Sequence, residues 1–214
     1  MKFLTRIIFT KQKLMGGLSV SLNPTTRCNL KCNYCVSSIF LGEAPIFKNE
    51  LTAKQWLEIL LNYKPKIKFV MISGGEPSIY KDIVPLVDGL TKNKIAVRIL
   101  TNLTSRRLLG VDNNPYVRFY TTLHYGFVDL DKFLENLRLY KNKFLVSVNE
   151  FEGKPKMIKG SRMKILETLD NPDRVSKTPE GDDLTYCRLK KGVLFIPDGR
   201  IVVNAHERDL LADN

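Results

Sequence analysis

The sequence predicts an α/β fold built on a parallel β-sheet, and three observations lead to this prediction. Short runs rich in apolar and β-branched residues alternate about five or six times with stretches of helical periodicity, which is typical of right-handed βαβ units. The 214 residues are 43% hydrophobic, enough for one sizeable core. The chain is shorter than the ~250 residues that a complete eight-fold barrel typically needs. We therefore expect a partial barrel or an open α/β sheet.

Five strands are predicted from the apolar pattern. Apolar and polar residues alternate in the first, whereas the second is a continuous apolar-rich run suited to a buried parallel strand. The predicted strands are Leu18–Leu22, Ile67–Ile72, Ala96–Leu100, Val117–Leu123 and Phe144–Val148. Because parallel α/β sheets bind ligands at the carboxyl ends of their strands, we expect the chemically important residues directly after these strands.

The predicted helices lie between the strands. The first begins at Thr52, which forms a capping box with Gln55, and apolar residues recur at helical spacing as far as Tyr63. Further helices are predicted around Lys81–Leu90, Ser105–Gly110 and Asp129–Tyr140.

The carboxyl-terminal part of the chain is less regular. Residues 151–186 are rich in Lys, Pro and Asp and receive no assignment, whereas Gly192–Ile196 and Arg200–Val203 flank a Pro-Asp-Gly turn and predict a hairpin. We expect three regions: a basic amphipathic segment at 1–17, a core at 18–150, and a region at 151–214 that completes the sheet and carries the hairpin.

The charge is strongly positive. Lys and Arg number 34 against 22 Asp and Glu, a formal net charge of +12, which suits an anionic partner such as nucleic acid, a phosphate ester or an acidic membrane, and also plain solubility. No apolar run approaches the ~20 residues of a membrane span. The segment 1–17 predicts a helix that packs over the open barrel, with a membrane-surface helix as the alternative.

Three of the four cysteines lie within eight residues, at Cys28, Cys32 and Cys35. This clustering does not fit a secreted disulfide scaffold, and the amino terminus does not form a convincing secretory signal, so we expect a reduced, cytoplasmic protein. Three thiolates suit a [4Fe–4S] cluster with one open iron, because soft sulfur ligands favour iron–sulfur chemistry. A zinc site completed by Cys187 or a histidine is the alternative.

A second motif, Ser73-Gly74-Gly75-Glu76-Pro77, follows the strand Ile67–Ile72 directly. Two glycines let the backbone approach a ligand closely, and Glu76 adds a carboxylate at the mouth of the strand. Alone, the motif is also an ordinary turn between a strand and a helix.

Together, TRCNLKCNYC and ISGGEP resemble the radical S-adenosylmethionine (SAM) superfamily over about residues 18–150. The resemblance implies a partial (β/α)6 TIM-like barrel that binds a [4Fe–4S] cluster and SAM. It further implies that one electron from the reduced cluster cleaves SAM to a 5′-deoxyadenosyl radical, which abstracts a hydrogen atom from a substrate. A reductant such as flavodoxin or ferredoxin is then an expected partner.

The resemblance also implies roles for individual residues. Cys28, Cys32 and Cys35 would hold three irons, and SAM would chelate the fourth. The methionine ammonium would be received by Gly74, Gly75 and Glu76, and Tyr34 would lie near the adenine.

Later strand ends supply further candidates. Asn102 follows the third strand in a Thr-Asn pair that relatives often carry, and Thr122 stands where relatives contact the SAM ribose. His124 replaces the commoner acid there, so it is a candidate for a ribose or a substrate role and is our tentative catalytic residue. Asn149 ends the fifth strand and is expected to line the same cavity.

The carboxyl-terminal hairpin resembles the start of the SPASM/twitch-like auxiliary-cluster region of peptide-modifying relatives. Cys187 stands before Gly199 as it does there, but Asn204 occupies the position of the next cysteine. One thiolate does not anchor a second cluster, so we expect a degenerate hairpin without metal and a free thiol at Cys187.

Three functions remain open. The first is radical modification of a peptide or protein side chain, which the cysteine context and the hairpin favour. The second is modification or isomerisation of a nucleobase or nucleotide, including DNA hypermodification, which the positive charge favours. The third is a non-catalytic iron–sulfur carrier, against which the Gly-Gly-Glu motif argues because a carrier needs no methionine site.

Overall fold

The computed structural model describes residues 18–32, 35, 50–63, 66–124, 126–140, 144–149, 155–158, 193–195 and 201–203, with side chains given up to Tyr140. The predictions for the segment 1–17, Tyr34, Cys187 and Asn204 lie outside the described residues. Among the described residues, no helix is long and apolar enough to cross a membrane.

The described strands form one sheet of eight. They are β1 (Leu18–Leu22), β2 (Ile67–Ile72), β3 (Ala96–Thr101), β4 (Val117–His124), β5 (Phe144–Asn149), β6 (Pro155–Ile158), β7 (Val193–Phe195) and β8 (Ile201–Val203). Their order is β6-β5-β4-β3-β2-β1-β7-β8, and β1 to β5 are parallel neighbours in chain order. The five predicted strands are therefore confirmed, and the sheet is open, with β6 and β8 at its edges.

At its two edges, the sheet differs from a simple series of six βα units. After β5 comes the antiparallel β6, within the segment that received no assignment. The predicted hairpin is confirmed as β7 and β8, and β7 lies parallel to β1 on the side away from β2. The sixth parallel strand therefore comes from the carboxyl-terminal hairpin.

In the described part of the chain, three α-helices connect the strands: α1 (Ala53–Asn62), α2 (Ile83–Lys92) and α3 (Leu130–Leu139). The capping box at Thr52 and Gln55 is confirmed, and the side chain of Asp129 accepts a hydrogen bond from the N–H of Lys132 at the start of α3. The short helix predicted at Ser105–Gly110 is a 3₁₀ helix at Arg107–Val111, since one or two turns suit this tighter form.

The helices pack on one face of the sheet. Alternate strand residues such as Val70, Ile99 and Phe119 are buried there with Trp56 of α1 and Leu86 of α2. The opposite face is mixed in character: the guanidinium of Arg98 lies 5.1 Å from the ring centroid of Phe69 and 4.5 Å from that of Tyr120. One face thus forms the core, and the other remains half-buried.

Candidate functional site

The three clustered cysteines lie on the loop that follows β1, at the carboxyl end of the parallel sheet. All three are free thiols; Cys28 is exposed, and Cys32 and Cys35 are partly buried. The N–H of Cys35 donates to the carbonyl of Cys32 at 3.1 Å, so a backbone hydrogen bond joins the last two cysteines. We call residues 25–35 the cysteine loop.

The surroundings of Cys28 disfavour its thiolate in the metal-free chain. Although the residue as a whole is exposed, desolvation around its sulfur raises the pKa of the thiol, and the neighbouring Cys32 and Cys35 raise it further. The N–H of Leu30, 3.4 Å from the sulfur, lowers the pKa and partly opposes these effects. A bound metal would replace the thiol proton at this position.

The donor set of the cysteine loop fits an iron–sulfur cluster. It offers three free thiols on a single loop and no carboxylate or imidazole among its described residues, and soft sulfur ligands suit iron–sulfur clusters. Within the described part of the chain, no group of three or more His, Cys, Asp or Glu side chains is placed to hold a metal ion. The three thiols therefore lie on one loop, but their side chains are not arranged as a preformed metal site.

The glycine turn after β2 lies directly against the cysteine loop. The N–H of Gly75 donates to the carbonyl of Thr25 at 3.0 Å, and the N–H of Glu76 donates to that of Arg27 at 2.8 Å. A Cβ on Gly74 would lie 2.3 Å from the Thr25 carbonyl oxygen, and one on Gly75 would lie 2.0 Å from that of Arg27. Only glycine permits this approach, and the φ of +113° at Gly74 adds a second reason there.

Glu76 is a buried carboxylate, 1% exposed, that joins the glycine turn to the end of β3. One oxygen accepts hydrogen bonds from the N–H of Ser78 at 2.9 Å and the hydroxyl of Thr101 at 2.7 Å, and the other accepts from the N–H of Asn102 at 2.7 Å. Burial raises the pKa of Glu76, and these hydrogen bonds oppose the rise. The carboxylate is thus held rigidly at the carboxyl ends of β2 and β3.

Asn102 lies beside the cysteine loop. Its side-chain amide donates to Asn29 at 3.0 Å, and the amide nitrogen is 4.0 Å from the sulfur of Cys28. Thr104 contacts both asparagines by hydrogen bonds of 2.7 Å. Sequence reasoning found Asn102 but missed Asn29 and Thr104, because nothing in the linear pattern indicates a contact across 75 residues.

A second group that the sequence reasoning missed holds the start of the cysteine loop. Glu50 accepts two hydrogen bonds from the guanidinium of Arg27, at 2.9 and 2.7 Å, and one from the hydroxyl of Thr25. Burial alone would raise the pKa of Glu50, but the hydrogen bonds from Arg27 and Thr25 outweigh it and lower the pKa below 4.5. We call these three residues the Glu50 clamp.

The end of β4 contributes Thr122 and His124, both half-buried. Burial lowers the pKa of His124 from 6.5 to about 4, so its imidazole is neutral at neutral pH. In the backbone register His124 pairs with Asn149 at the end of β5. The polar residues expected after β4 and β5 therefore share the edge of the sheet that carries the cysteine loop, while the side chain of Asn149 lies outside the described set.

Comparison with known proteins identifies the family. A family model described as the Radical SAM superfamily matches residues 22–171, well over half of the chain. The chain belongs to the radical SAM superfamily, whose members use a [4Fe–4S] cluster and SAM.

Individual relatives match over shorter stretches. The PqqA peptide cyclase of Bradyrhizobium diazoefficiens is 36% identical over 93 residues, which is 43% of this chain and 23% of that protein. The GTP 3′,8-cyclase of Listeria welshimeri is 36% identical over 75 residues, 33% of this chain and 21% of that protein. These matches cover less than a quarter of either relative.

A solved structure supports the fold. The crystal structure of Streptococcus suis SuiB bound to the precursor peptide SuiA matches 77% of this chain and 39% of that chain, with a TM-score of 0.55 and 24% identity. The α/β fold class with its partial barrel is thereby confirmed.

Proposed function

We propose that this protein is a radical SAM enzyme that holds a [4Fe–4S] cluster through Cys28, Cys32 and Cys35. The observation that carries the proposal is the pair of backbone hydrogen bonds from Gly75 and Glu76 to the cysteine loop. They bring the two motifs of the sequence into direct contact at one edge of the sheet. When bound, the cluster supplies the electron that cleaves SAM to a 5′-deoxyadenosyl radical.

The chain's own residues bind and orient SAM in this proposal. The methionine ammonium is received by the glycine turn, whose carbonyls and Glu76 carboxylate suit a cation. Glu76 accepts three hydrogen bonds already, yet two carboxylate oxygens offer about four acceptor positions. Further contacts to SAM are assigned to Tyr34, Thr122 and Asn149, and Asn102 is assigned to cofactor binding, all as predictions from the sequence.

His124 acts in this proposal as a neutral hydrogen-bonding group. Its pKa of about 4 keeps the imidazole uncharged at neutral pH. The neutral ring orients a ribose hydroxyl or a substrate group by hydrogen bonding and does not attract an anion. Its place at the end of β4 supports either contact, and the variant His124→Ala separates them. Normal SAM cleavage with loss of substrate turnover assigns His124 to the substrate.

We propose a peptide or protein side chain as the substrate. The similarity to a PqqA peptide cyclase supports this class. A nucleotide is the second candidate, supported by the equal identity to a GTP 3′,8-cyclase and by the net charge of +12. Retention on DNA or nucleotide resin that weakens steeply with salt would favour the second candidate, since phosphate contacts are salt-sensitive.

The proposal includes a reductant and a compartment. Radical SAM enzymes need a reductant, and a flavodoxin or ferredoxin would supply the electron here. Three free thiols on one loop require reducing conditions to remain available for iron, which supports a cytoplasmic location. We likewise propose a degenerate hairpin that binds no metal, and a division of the chain into residues 1–17, 18–150 and 151–214.

Anaerobic reconstitution followed by dithionite reduction in the presence of SAM tests the function. We expect formation of 5′-deoxyadenosine by the wild-type chain and its loss in Cys32→Ala, which removes a cluster ligand. Cys187→Ala is the matched control and should retain both iron and product. A loaded cluster that causes no SAM-dependent spectral change and no product would instead indicate an iron–sulfur carrier.

A further inference from the structure

Three polar side chains form a closed hydrogen-bond circuit beside the first cysteine. The Asn102 amide nitrogen donates to Asn29 Oδ1 at 3.0 Å, the Asn29 amide nitrogen donates to Thr104 Oγ1 at 2.7 Å, and the Thr104 hydroxyl donates to Asn102 Oδ1 at 2.7 Å. We call these three residues the amide circuit. Each member is at once donor and acceptor, so no side chain can reverse without breaking two bonds.

The backbone determines which way the Asn102 amide points. The N–H of Thr104 donates to Asn102 Oδ1 at 3.1 Å, and Oδ1 is the only acceptor of the Asn102 side-chain amide. Nδ2 of Asn102 must therefore face the cysteine loop. There one of its hydrogens is taken by Asn29, and the sulfur of Cys28 lies 4.0 Å from the same nitrogen.

Asn102 is also held rigidly from its other side. Its backbone N–H donates to Glu76 at 2.7 Å, and the residue is only 4% exposed. A donor fixed by both backbone and side chain loses little conformational freedom when it contacts a ligand, so its hydrogen bond is retained at low entropic cost. Cys28, in contrast, is exposed on the cysteine loop.

We propose that Asn102 is a positioning residue that donates an N–H···S hydrogen bond to the Cys28 thiolate in the loaded enzyme, and that Asn29 and Thr104 hold it in place. This inference rests on the proposed assignment of Cys28 as a cluster ligand. Hydrogen bonds to ligand sulfurs offset the additional negative charge of a reduced cluster and raise its reduction potential. Asn102 thereby makes the cluster easier to reduce.

The test is the reduction potential of the reconstituted full chain, measured by redox titration in the absence of SAM, together with the iron content. We expect Asn102→Ala to shift the potential to a more negative value. Thr104→Val should shift it in the same direction by less, because it releases Asn29 but leaves the backbone N–H to Asn102. Thr104→Ser keeps the hydroxyl and should restore the wild-type value.

Asn114→Ala is the matched control. Asn114 has the same pattern of bonds, with its amide donating to Thr91 Oγ1 at 2.8 Å and its oxygen accepting from the N–H of Tyr116 at 3.0 Å. It precedes β4 and so lies at the end of the sheet opposite the cysteine loop. Its removal should leave the potential unchanged.

The possible outcomes separate this inference from the function on which it rests. A wild-type chain that forms no redox-active cluster would overturn both. The wild-type chain could hold the cluster while Asn102→Ala and Thr104→Val show the wild-type reduction potential at equal iron content. That result would overturn this inference and leave the proposed function standing. Where Asn102→Ala does not fold, the pair Thr104→Val and Thr104→Ser decides the matter, because Val replaces the Thr104 hydroxyl by a methyl group whereas Ser keeps the hydroxyl.

Discussion

At Gly75 one added methyl group would meet the carbonyl oxygen of Arg27 at 2.0 Å, far inside van der Waals contact. The obstacle is backbone and not a flexible side-chain end, so the cysteine loop itself would have to move. The glycine motif therefore shapes the cysteine loop, in addition to the backbone contact with a ligand that the sequence predicts for it. Sequence reasoning assigned it only the second of these tasks.

Gly75→Ala tests this role. We expect destabilisation of the metal-free chain by about 1–3 kcal/mol from overpacking, and a reduced iron content after reconstitution. Chemical denaturation and iron analysis measure both effects. Gly110→Ala is the control, since its Cβ would lie 3.3 Å from a methyl group of Val84; equal behaviour of the two variants would contradict the assigned role.

The imidazole of His124 should have a pKa well below that of an ordinary histidine. Burial lowers its pKa from 6.5 to about 4, so the unfolded chain binds this proton more readily than the folded one. The contribution of His124 to stability is therefore fully present above pH 6.5 and declines as the pH falls towards 4. NMR titration of His206→Gln, which leaves His124 as the single histidine, should give a midpoint near 4, and a midpoint near 6.5 would refute the burial argument.

Apart from the clustered cysteines, polar residues of the site were predictable only where they lie at the end of a strand. Glu76 and Asn102 follow β2 and β3, His124 is the last residue of β4, and the rule that parallel sheets place ligands at strand ends identified them. Asn29, Thr104 and Glu50 act through contacts between residues 23 to 75 positions apart. Such pairings depend on how loops meet in space, and a single sequence carries no local signal for them.

At the level of elements, the Glu50 clamp joins the segment before α1 to the start of the cysteine loop. Because the folded pKa of Glu50 is lowered, its contribution to stability is present above its ordinary value of 4.5 and is lost as the pH falls below that value. The clamp should therefore loosen in mild acid. Its partner Arg27 keeps its charge throughout this range.

Glu50→Gln should lower the melting temperature of the metal-free chain at neutral pH and have progressively less effect below pH 4.5. Thermal melts of both chains between pH 3 and pH 7 measure the difference. Glu58→Gln, a change of the same charge at an exposed position of α1, is the control. A melting difference that does not vary with pH would show that the charge of Glu50 is not what holds the cysteine loop.

The amino terminus of α1 provides a test that is independent of any cofactor. Thr52→Ala removes the side chain that accepts a hydrogen bond from the N–H of Gln55, and loss of such a cap costs about 1 kcal/mol. Urea denaturation of the metal-free chain should show this loss, with Thr52→Ser retaining most of the stability. Equal stability of Thr52→Ala and wild type would mean that the cap contributes nothing.

The elements themselves were predicted closely where packing and local pattern agree. Ile67–Ile72 is a strand with the predicted bounds, and α2 begins at Ile83 and not at Lys81, a difference of the size expected for frayed helix ends. The strand β6 was not predicted. It begins with Pro155, which sequence reasoning associates with breaks, but as the edge strand beside β5 it tolerates a missing donor.

For the molecule as a whole, the fold class was predictable, and so was the edge of the sheet at which the candidate site residues lie together. The periodic alternation of strands and helices is repeated often enough to indicate a parallel sheet. The place of β7 was not predictable, because its pairing with β1 joins Val20 to Val193. The predicted short carboxyl-terminal hairpin therefore belongs to the main sheet, through the pairing of β7 with β1.

Because β7 pairs with β1, the first strand of the sheet gains its second neighbour only late in synthesis. A ribosome adding about 5–20 residues per second needs roughly 9–35 s to pass from Val20 to Val193. During that interval the outer edge of β1 has unpaired N–H and C=O groups, which are open to pairing with other chains. Of the strands β1 to β5, the strand that leads into the cysteines is therefore the last to gain both neighbours, and until then its open edge lies beside the cysteine loop.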